Sequence, residues 1–217
     1  GKGGQWGMNC RSIDEEREIG GEPECGDGYT CINNAPTDEN YTHEQSWKAF
    51  EEFMTDRGYV SIKRYPTVAR WRDDVEFTGA SIYCFQPYVV SGEADPPAKE
   101  LIIPQPSLRF NDVDNVGITG RHYTNFTMIG QTCFQPPGEY DQDRYFRDML
   151  EFTVEKLGIP RQKLVLHEDS WGGGGNLGAC MEFFVDGLEL FNQVYMFYER
   201  TPEGYEELDL KVLDMGM

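Results

Sequence analysis

The sequence has no run of 18 or more apolar residues and no apolar leader segment at its start, so we expect neither a membrane-spanning helix nor a secretory signal. Basic side chains are scarce: 19 Lys and Arg face 38 Asp and Glu, which gives a formal charge of -19 at pH 7. Such an acidic body repels nucleic-acid phosphates, which excludes non-specific nucleic-acid binding. Any nucleic-acid contact must be local, and its best candidate is the basic group Lys63, Arg64, Arg70 and Arg72. We expect a soluble, cytoplasmic protein without a membrane partner.

Cysteine is too sparse for a secreted disulfide scaffold, with six residues in 217. Three of them, Cys10, Cys25 and Cys31, fall in residues 1–40, a polar segment too poor in apolar residues to build its own core. We predict an N-terminal arm or knuckle here and a folded core over residues 41–217. The three thiolates, with His43 as a fourth ligand, could hold Zn²⁺. No C-x2-C pair supports this, and free or buried thiols are the alternative.

Two amphipathic helices are predicted. Thr42 and Gln45 form a capping box ahead of the first, and Gly58 ends it. Asp141 caps the second, which runs to about Leu157. Their apolar stripes predict buried faces, formed by Trp47, Phe50, Phe53 and Met54 in the first helix and by Tyr145, Phe146, Met149, Leu150 and Phe152 in the second.

Most other apolar segments are strand-like. We predict strands at 59–66, in the apolar segment that follows Asp74, at 101–110, 121–128, 163–168, 180–185, 188–199 and 209–217. Regular strand-helix alternation is missing, so the sequence predicts an α+β fold, a mostly antiparallel sheet with helices on one side.

The stretch from Gln105 to Met128 is predicted to be an antiparallel hairpin with one arginine on each arm, Arg109 and Arg121. Arginine offers a planar fork of donors that suits phosphate or carboxylate, so the pair could grip a polyphosphate. Ion pairing with the many acidic side chains is the alternative. The four glycines after Trp171 match neither a dinucleotide fingerprint nor a Walker loop, and they favour a close backbone approach to a small ligand or a flexible turn.

Several segments together resemble the class II aminoacylation domain of archaeal-type alanyl-tRNA synthetases, over nearly the whole chain. They are RWRDD (70–74), TGASI (78–82), FQPYVVSG (85–92), PPAKELII (96–103), QPSLR (105–109), DVDNVGITGRH (112–122), WGGGGNLG (171–178) and KVLDMG (211–216). The resemblance implies a class II antiparallel sheet flanked by helices.

The resemblance also implies roles for individual residues. Arg109 matches the motif 2 arginine that binds the α-phosphate of ATP, and Arg121 and His122 match the returning strand beside the adenylate. Asp214 matches the aspartate that holds the amino group of alanine. The remaining matches are pocket residues: Gly216, which keeps the pocket small, Asn192, a polar pocket residue, and Trp171, an aromatic wall.

The activity implied is attack of the alanine carboxylate on the α-phosphorus of ATP, with Mg²⁺ as cofactor, and transfer of alanine to the acceptor stem of alanine tRNA in the full-length enzyme. No enzyme nucleophile is needed, which suits a chain with three histidines. Catalysis of this kind depends on orientation and on neutralising phosphate charge.

The sequence departs from the family at several positions. Thr127 replaces a glutamate, Gln131 replaces a histidine, and the knuckle has three cysteines instead of four. The family's G-L-E-R motif 3 would begin where the sequence ends, so we expect lower activity than in a version extended through G-L-E-R. Two alternatives stay open: a non-catalytic paralogue that binds adenylate or alanine, and a ligase that charges a carrier other than tRNA.

Overall fold

The computed structural model describes residues 41–217, and seven strands of this part form one sheet. The strands are β1 (Val60–Ser61), β2 (Glu100–Leu108), β3 (Asn125–Gln135), β4 (Leu164–Gly173), β5 (Asn176–Val185), β6 (Leu188–Thr201) and β7 (Gly204–Gly216). Their order across the sheet is β1-β2-β3-β7-β6-β5-β4. Only β1 and β2 run parallel; the other neighbours are antiparallel. The predicted α+β class is confirmed.

The first helix, α1 (His43–Thr55), begins at the predicted capping box. The backbone N–H of Gln45 donates to the Thr42 side chain, and the backbone N–H of Thr42 donates to the Gln45 side chain. These two bonds satisfy donors that a helix start otherwise leaves without partners. Gly58 then turns the chain at a positive φ of 94°, a conformation that favours glycine.

The second helix, α2 (Gln142–Glu151), is capped by Asp141, whose side chain accepts from the backbone N–H of Arg144. A π-helical turn (Phe152–Lys156) extends it to the predicted end. Both helices pack on one face of the sheet, here called the helix face. The buried core on this face includes Phe50, Met54, Ile102, Cys133, Tyr145, Met149, Phe183, Phe191, Leu213 and Met215.

The opposite face, here called the cleft face, is covered by residues 80–90, and among residues 41–217 no α-helix packs on it. This segment contains a 3-10 turn (Ser81–Cys84) and contributes Ile82, Phe85 and Val90 to a second core. The apolar strand predicted after Asp74 is therefore wrong. The segment buries apolar side chains against the sheet without pairing its backbone with a strand, and apolarity alone does not separate the two arrangements.

The strand predicted over 59–66 is wrong in length, because β1 has two residues. After Ile62, the side-chain amide of Gln105 forms the hydrogen bonds that a neighbouring strand would otherwise provide. It accepts from the backbone N–H of Tyr65 at 2.9 Å and donates to the Tyr65 carbonyl at 3.1 Å. A side chain thus satisfies the backbone groups that a longer strand would have paired.

The hairpin predicted over Gln105–Met128 is confirmed in its pairing, since β2 and β3 run antiparallel from Leu108 opposite Asn125. Its second arm was placed too early. Arg121 and His122 lie in the loop before β3, and the strand continues to Gln135. The predicted boundaries followed local alternation, whereas the observed strand extends along its neighbours β2 and β7.

Gly178 lies where β5 and β6 approach unusually closely at a β-bulge. A Cβ at this position would lie 1.7 Å from the backbone carbonyl oxygen of Tyr195, which cannot rotate away. We therefore expect Gly178→Ala to lower the free energy of unfolding by about 3 kcal/mol or more, through overpacking against backbone. Urea denaturation measures this loss. Gly138→Ala is the control, since a Cβ there meets nothing within 4 Å, and equal stability of the two variants would contradict the prediction.

Candidate active site

A cleft of about 460 Å³ opens on the cleft face beside the end of β2, and Arg109 lines it together with Tyr83. The Arg109 Nε donates to the Gly79 carbonyl at 2.8 Å, and its guanidinium lies 5.1 Å from the centroid of the Phe126 ring. Burial lowers the pKa of Arg109, an effect that nearby Tyr83 and Glu189 oppose. The side chain is thus held as a fixed cation at a wall of the cleft.

The facing wall is the β4-β5 hairpin, which contributes Trp171, Gly172 and Gly173 to the same cleft. The Trp171 ring lies along its own strand, so close to Gly173 that a Cβ there would come within 2.8 Å of the ring. The Gly173 backbone therefore packs against the Trp171 indole, and its approach to a small ligand stays a prediction. Trp171 and Arg109 line one cleft, and the role of Trp171 as an aromatic wall of the amino-acid pocket also stays a prediction.

Asp214 occupies the centre of the cleft face, on β7. It alternates with Leu213 and Met215, whose side chains belong to the helix-face core, so its carboxylate points to the other side of the sheet. Asp214 is 3% exposed, and its Oδ1 has no hydrogen-bond partner among the described residues. Burial raises the pKa of Asp214 to about 7, because ionisation in the interior lacks solvation.

Two more buried polar atoms without partners in the described part of the chain lie near Asp214, the hydroxyls of Ser81 and Thr132. Thr132 stands directly opposite Asp214 in the β3-β7 ladder, which brings their side chains together on one face. Ser81 packs over Gly130, where a Cβ would lie 2.7 Å from the Ser81 Oγ. Buried polar groups without partners are costly, so this group suits a polar ligand.

Asn192 and Gly216 lie next to one another in the β6-β7 ladder, on the same face as Asp214. Asn192 is buried. Gly216 has a packing reason to lack a side chain, because a Cβ there would lie 2.7 Å from the Met128 Sδ. The structure thus groups these two residues with Asp214 on the cleft face, and the lining of the Arg109 cleft, within residues 41–217, includes none of the three.

Arg121 and His122 are placed differently from Arg109. The His122 Nδ1 lies 2.6 Å from the Thr119 hydroxyl, which also accepts from the backbone N–H of Arg121. The lining of the Arg109 cleft, within residues 41–217, includes neither residue. Their roles at the adenylate stay predictions.

Glu189 is the residue that sequence reasoning missed. Burial, with repulsion from Glu182, raises the pKa of Glu189 to about 7, while Arg109 lowers it, so the carboxylate is near Arg109. Strict alternation would put Glu189 on the helix face with Phe191. A β-bulge at this point instead pairs Glu189 with Phe184, which turns its side chain to the cleft face, as bulges near binding sites often do.

Three side chains of the types that can bind a metal ion lie close together on β4 and β5. Ligand atoms of His167, Asp169 and Glu182 all lie within 4.8 Å of one another, and the His167 Nδ1 is 2.7 Å from the Glu182 Oε2. Glu182 raises the pKa of the exposed His167. With Glu189, these groups make this end of the cleft face rich in carboxylate oxygens.

The two departures from the family pattern, Thr127 and Gln131, both lie on the helix face. The Thr127 hydroxyl is 3.3 Å from the His43 Nε2, and the Gln131 Nε2 donates to the Tyr59 hydroxyl at 2.9 Å. Neither side chain faces Asp214 or Arg109. The predicted zinc ligands Cys10, Cys25 and Cys31, like the whole 1–40 arm, fall outside the described residues.

One of the four basic residues proposed as a local nucleic-acid contact, Arg72, is not available for such a contact. Arg72 is buried and forms two hydrogen bonds of 2.6 Å with the Asp74 carboxylate. Lys63, Arg64 and Arg70 stay exposed. Arg72 therefore has a structural role, because its donors are directed inward.

The antiparallel sheet with a fixed arginine at the start of the β2-β3 loop is the arrangement expected of a class II synthetase. A family model described as "tRNA synthetases class II (A)" matches residues 47–217, and the chain belongs to this family. A solved pyrrolysyl-tRNA synthetase, PylSc of Desulfitobacterium hafniense, has the same fold, with a TM-score of 0.50 at 14% identity over 86% of this chain and 69% of that one.

The chain is also similar in sequence to alanine–tRNA ligases of archaea. The chain is 48% identical over 204 residues to the alanine–tRNA ligase of Methanocella arvoryzae, covering 93% of this chain and 23% of that protein. It is 45% identical over 206 residues to the alanine–tRNA ligase of Methanopyrus kandleri, covering 93% and 22%. The resemblance predicted from the motifs is confirmed, and the chain spans about a quarter of the length of these relatives. No helix among residues 41–217 is long and apolar enough to cross a membrane.

Proposed function

We propose that this chain is the part of an alanyl-tRNA synthetase that activates alanine with ATP to form alanyl-adenylate. The observation that carries the proposal is the position of two opposite charges on one sheet face. Arg109 is a fixed cation at the cleft wall, and Asp214 is a buried carboxylate without a hydrogen-bond partner for Oδ1 in the described chain. Alanine carries an ammonium for the carboxylate, and ATP carries phosphates for the guanidinium.

In this proposal, Asp214 holds the alanine ammonium and thereby orients the substrate carboxylate towards the α-phosphorus. The hydroxyls of Ser81 and Thr132 accept the remaining ammonium hydrogens, which gives their buried oxygens partners. Arg109 binds the α-phosphate and stabilises the charge that develops on it. A new bond forms between the alanine carboxylate oxygen and the α-phosphorus, and the bond to the leaving pyrophosphate breaks.

The residues present also fit Mg²⁺, which prefers oxygen ligands and commonly binds through one or two carboxylates together with substrate phosphates. Glu189, close to Arg109 and Glu182, is the carboxylate we assign to hold it. When bound with ATP, the ion supplies positive charge to the phosphates. Zn²⁺ at Cys10, Cys25 and Cys31 stays a proposal from their spacing.

Transfer of alanine to the acceptor stem of alanine tRNA would follow in a protein of the relatives' full length, and the location we propose is the cytoplasm. One support for the alternative of a non-catalytic paralogue is the pair of departures Thr127 and Gln131. Both side chains make their contacts on the helix face, so the support from these two residues is weakened. A ligase acting on a different carrier would use the same activation chemistry.

ATP-pyrophosphate exchange dependent on alanine tests the proposal, together with calorimetric binding of a non-hydrolysable alanyl-adenylate analogue. We expect alanine to promote exchange and the analogue to bind. Discrimination against glycine should be modest, about 10-fold, because one methyl group is worth only ~1–3 kcal/mol. Tight binding without exchange would favour the non-catalytic alternative, and absence of both would contradict adenylate binding altogether.

A further inference from the structure

The Trp171 wall of the cleft belongs to a tight β-hairpin turn. Gly173 and Asn176 pair at the ends of β4 and β5, and Gly174 and Gly175 between them have positive φ angles of 58° and 87°. This is the geometry of a two-residue primed turn. Glycine makes such a turn easy to form, but it does not fix the turn's position relative to the opposite wall.

A single buried side chain, that of Gln86, contacts both ends of this turn. Its Nε2 donates to the Asn176 Oδ1 at 2.6 Å and to the Gly173 carbonyl at 3.1 Å. Gln86 is 1% exposed. The turn also packs directly on the amide, since a Cβ at Gly174 would lie 2.5 Å from the Gln86 Oε1.

The Gln86 side chain in turn contacts Arg72. The Arg72 Nη1 donates to the Tyr83 carbonyl at 3.3 Å and approaches the Gln86 Oε1 at 3.5 Å. Asp74 fixes the guanidinium through two hydrogen bonds of 2.6 Å. The hydrogen bond with Arg72 lowers the pKa of Asp74, so this carboxylate stays ionised at neutral pH.

The same guanidinium lies 4.8 Å from the centroid of the Tyr83 ring, and Tyr83 lines the cleft with Arg109 and Trp171. One connected set of contacts therefore joins the two walls. It runs from Arg72 through Gln86 to Gly173, next to Trp171 on one side, and from Arg72 to Tyr83 on the other.

We propose that Gln86 is a positioning residue that fixes the Trp171 wall against the Arg109 wall by holding both ends of the β4-β5 turn. It touches no substrate in this account and acts through Gly173 and Asn176. The inference rests on the proposed function for its effect on ligand binding, and its structural part is independent of that function.

The test compares Gln86→Met with Gln131→Met in the 217-residue chain. Methionine keeps the side-chain volume and removes the amide donors in both variants. Gln131 is equally buried and donates to the Tyr59 hydroxyl, but it lies on the helix face. Both variants lose two buried hydrogen bonds, since the Gln131 Oε1 also accepts from the Gln193 Nε2 at 3.1 Å. Only Gln86→Met frees the turn.

Hydrogen exchange of the peptide covering residues 171–178 provides the structural measurement. We expect the amides of this peptide to exchange at least 10-fold faster in Gln86→Met than in the parent or Gln131→Met, because the turn opens locally. The dissociation constant of the alanyl-adenylate analogue should rise at least 10-fold in Gln86→Met and change less than 3-fold in Gln131→Met.

Unchanged exchange in Gln86→Met would overturn the proposal, and so would faster exchange with unchanged affinity, since the wall would then not position the ligand. Equal loss of affinity in both variants would reduce Gln86 to a general stabilising role. If the parent itself fails to bind the analogue, the proposed function fails, and the exchange rates alone decide whether Gln86 fixes the turn.

Discussion

Arg109→Ala should lower the rate of alanine-dependent ATP-pyrophosphate exchange by about 10²–10³-fold, the loss typical of removing one charged group that stabilises a transition state. The guanidinium is already fixed by the Gly79 carbonyl and the Phe126 ring, so it is preorganised before ATP arrives. The exchange rate should be low even at saturating alanine, because we assign the nucleotide to Arg109 and the amino acid to Asp214.

Two controls separate this effect from unfolding. Arg70→Ala removes an exposed arginine from a neighbouring segment and should leave exchange within about 2-fold of the parent. Arg109→Lys keeps the charge and loses the planar fork, so it should recover only part of the rate. Circular dichroism monitors the fold. Persistent exchange in a folded Arg109→Ala variant would show that Arg109 has a structural role.

Asp214→Asn should weaken alanine binding by about 10²–10³-fold, because it leaves the substrate ammonium without its counter-charge in a buried site. The affinity for alanine should also depend on pH. The pKa of Asp214 is raised to about 7 by burial, and only the ionised form attracts an ammonium. The dissociation constant of alanine should therefore rise up to tenfold per pH unit below pH 7 and level off above it. Asp214→Asn should lose this dependence.

The same substitution should have the opposite effect on stability. A carboxyl whose pKa is 3.8 when unfolded and about 7 when folded favours the folded state fully below pH 4, and that contribution is lost as the pH rises through 7. At pH 8 the parent contains a buried carboxylate whose Oδ1 has no hydrogen-bond partner among residues 41–217, so Asp214→Asn should raise the free energy of unfolding by roughly 2–4 kcal/mol. Denaturation at pH 5 and pH 8 measures the difference; a less stable variant at pH 8 would mean that Asp214 already has a stabilising partner.

Local patterns predicted the helices and most strands because each depends on neighbouring residues. Thr42 and Gln45 form a capping box within four consecutive residues. Likewise, strand alternation alone places the side chain of Asp214 on the sheet face opposite to that of Leu213 and Met215. The resemblance to a known family then identified Arg109, Trp171 and Asp214, which the structure brings to one sheet face.

The features that were missed depend on contacts between distant segments. The bulge that turns Glu189 towards Arg109 is set by pairing with β5, and alternation within β6 would place the side chain on the other face. Gln105 replaces a β-ladder with its side chain, and Gln86 reaches a turn 87 residues away. None of these arrangements has a signature in the adjacent sequence.

The proposed function requires one site that holds phosphate at Arg109 and the amino group of alanine at Asp214. A crystal structure of the chain with the alanyl-adenylate analogue measures this directly. We expect the Arg109 guanidinium within about 3 Å of the phosphate-derived oxygens and the Asp214 carboxylate within about 3 Å of the ligand nitrogen, as charge-assisted hydrogen bonds require. A ligand bound away from either side chain, or with its amine turned away from Asp214, would contradict the proposed function.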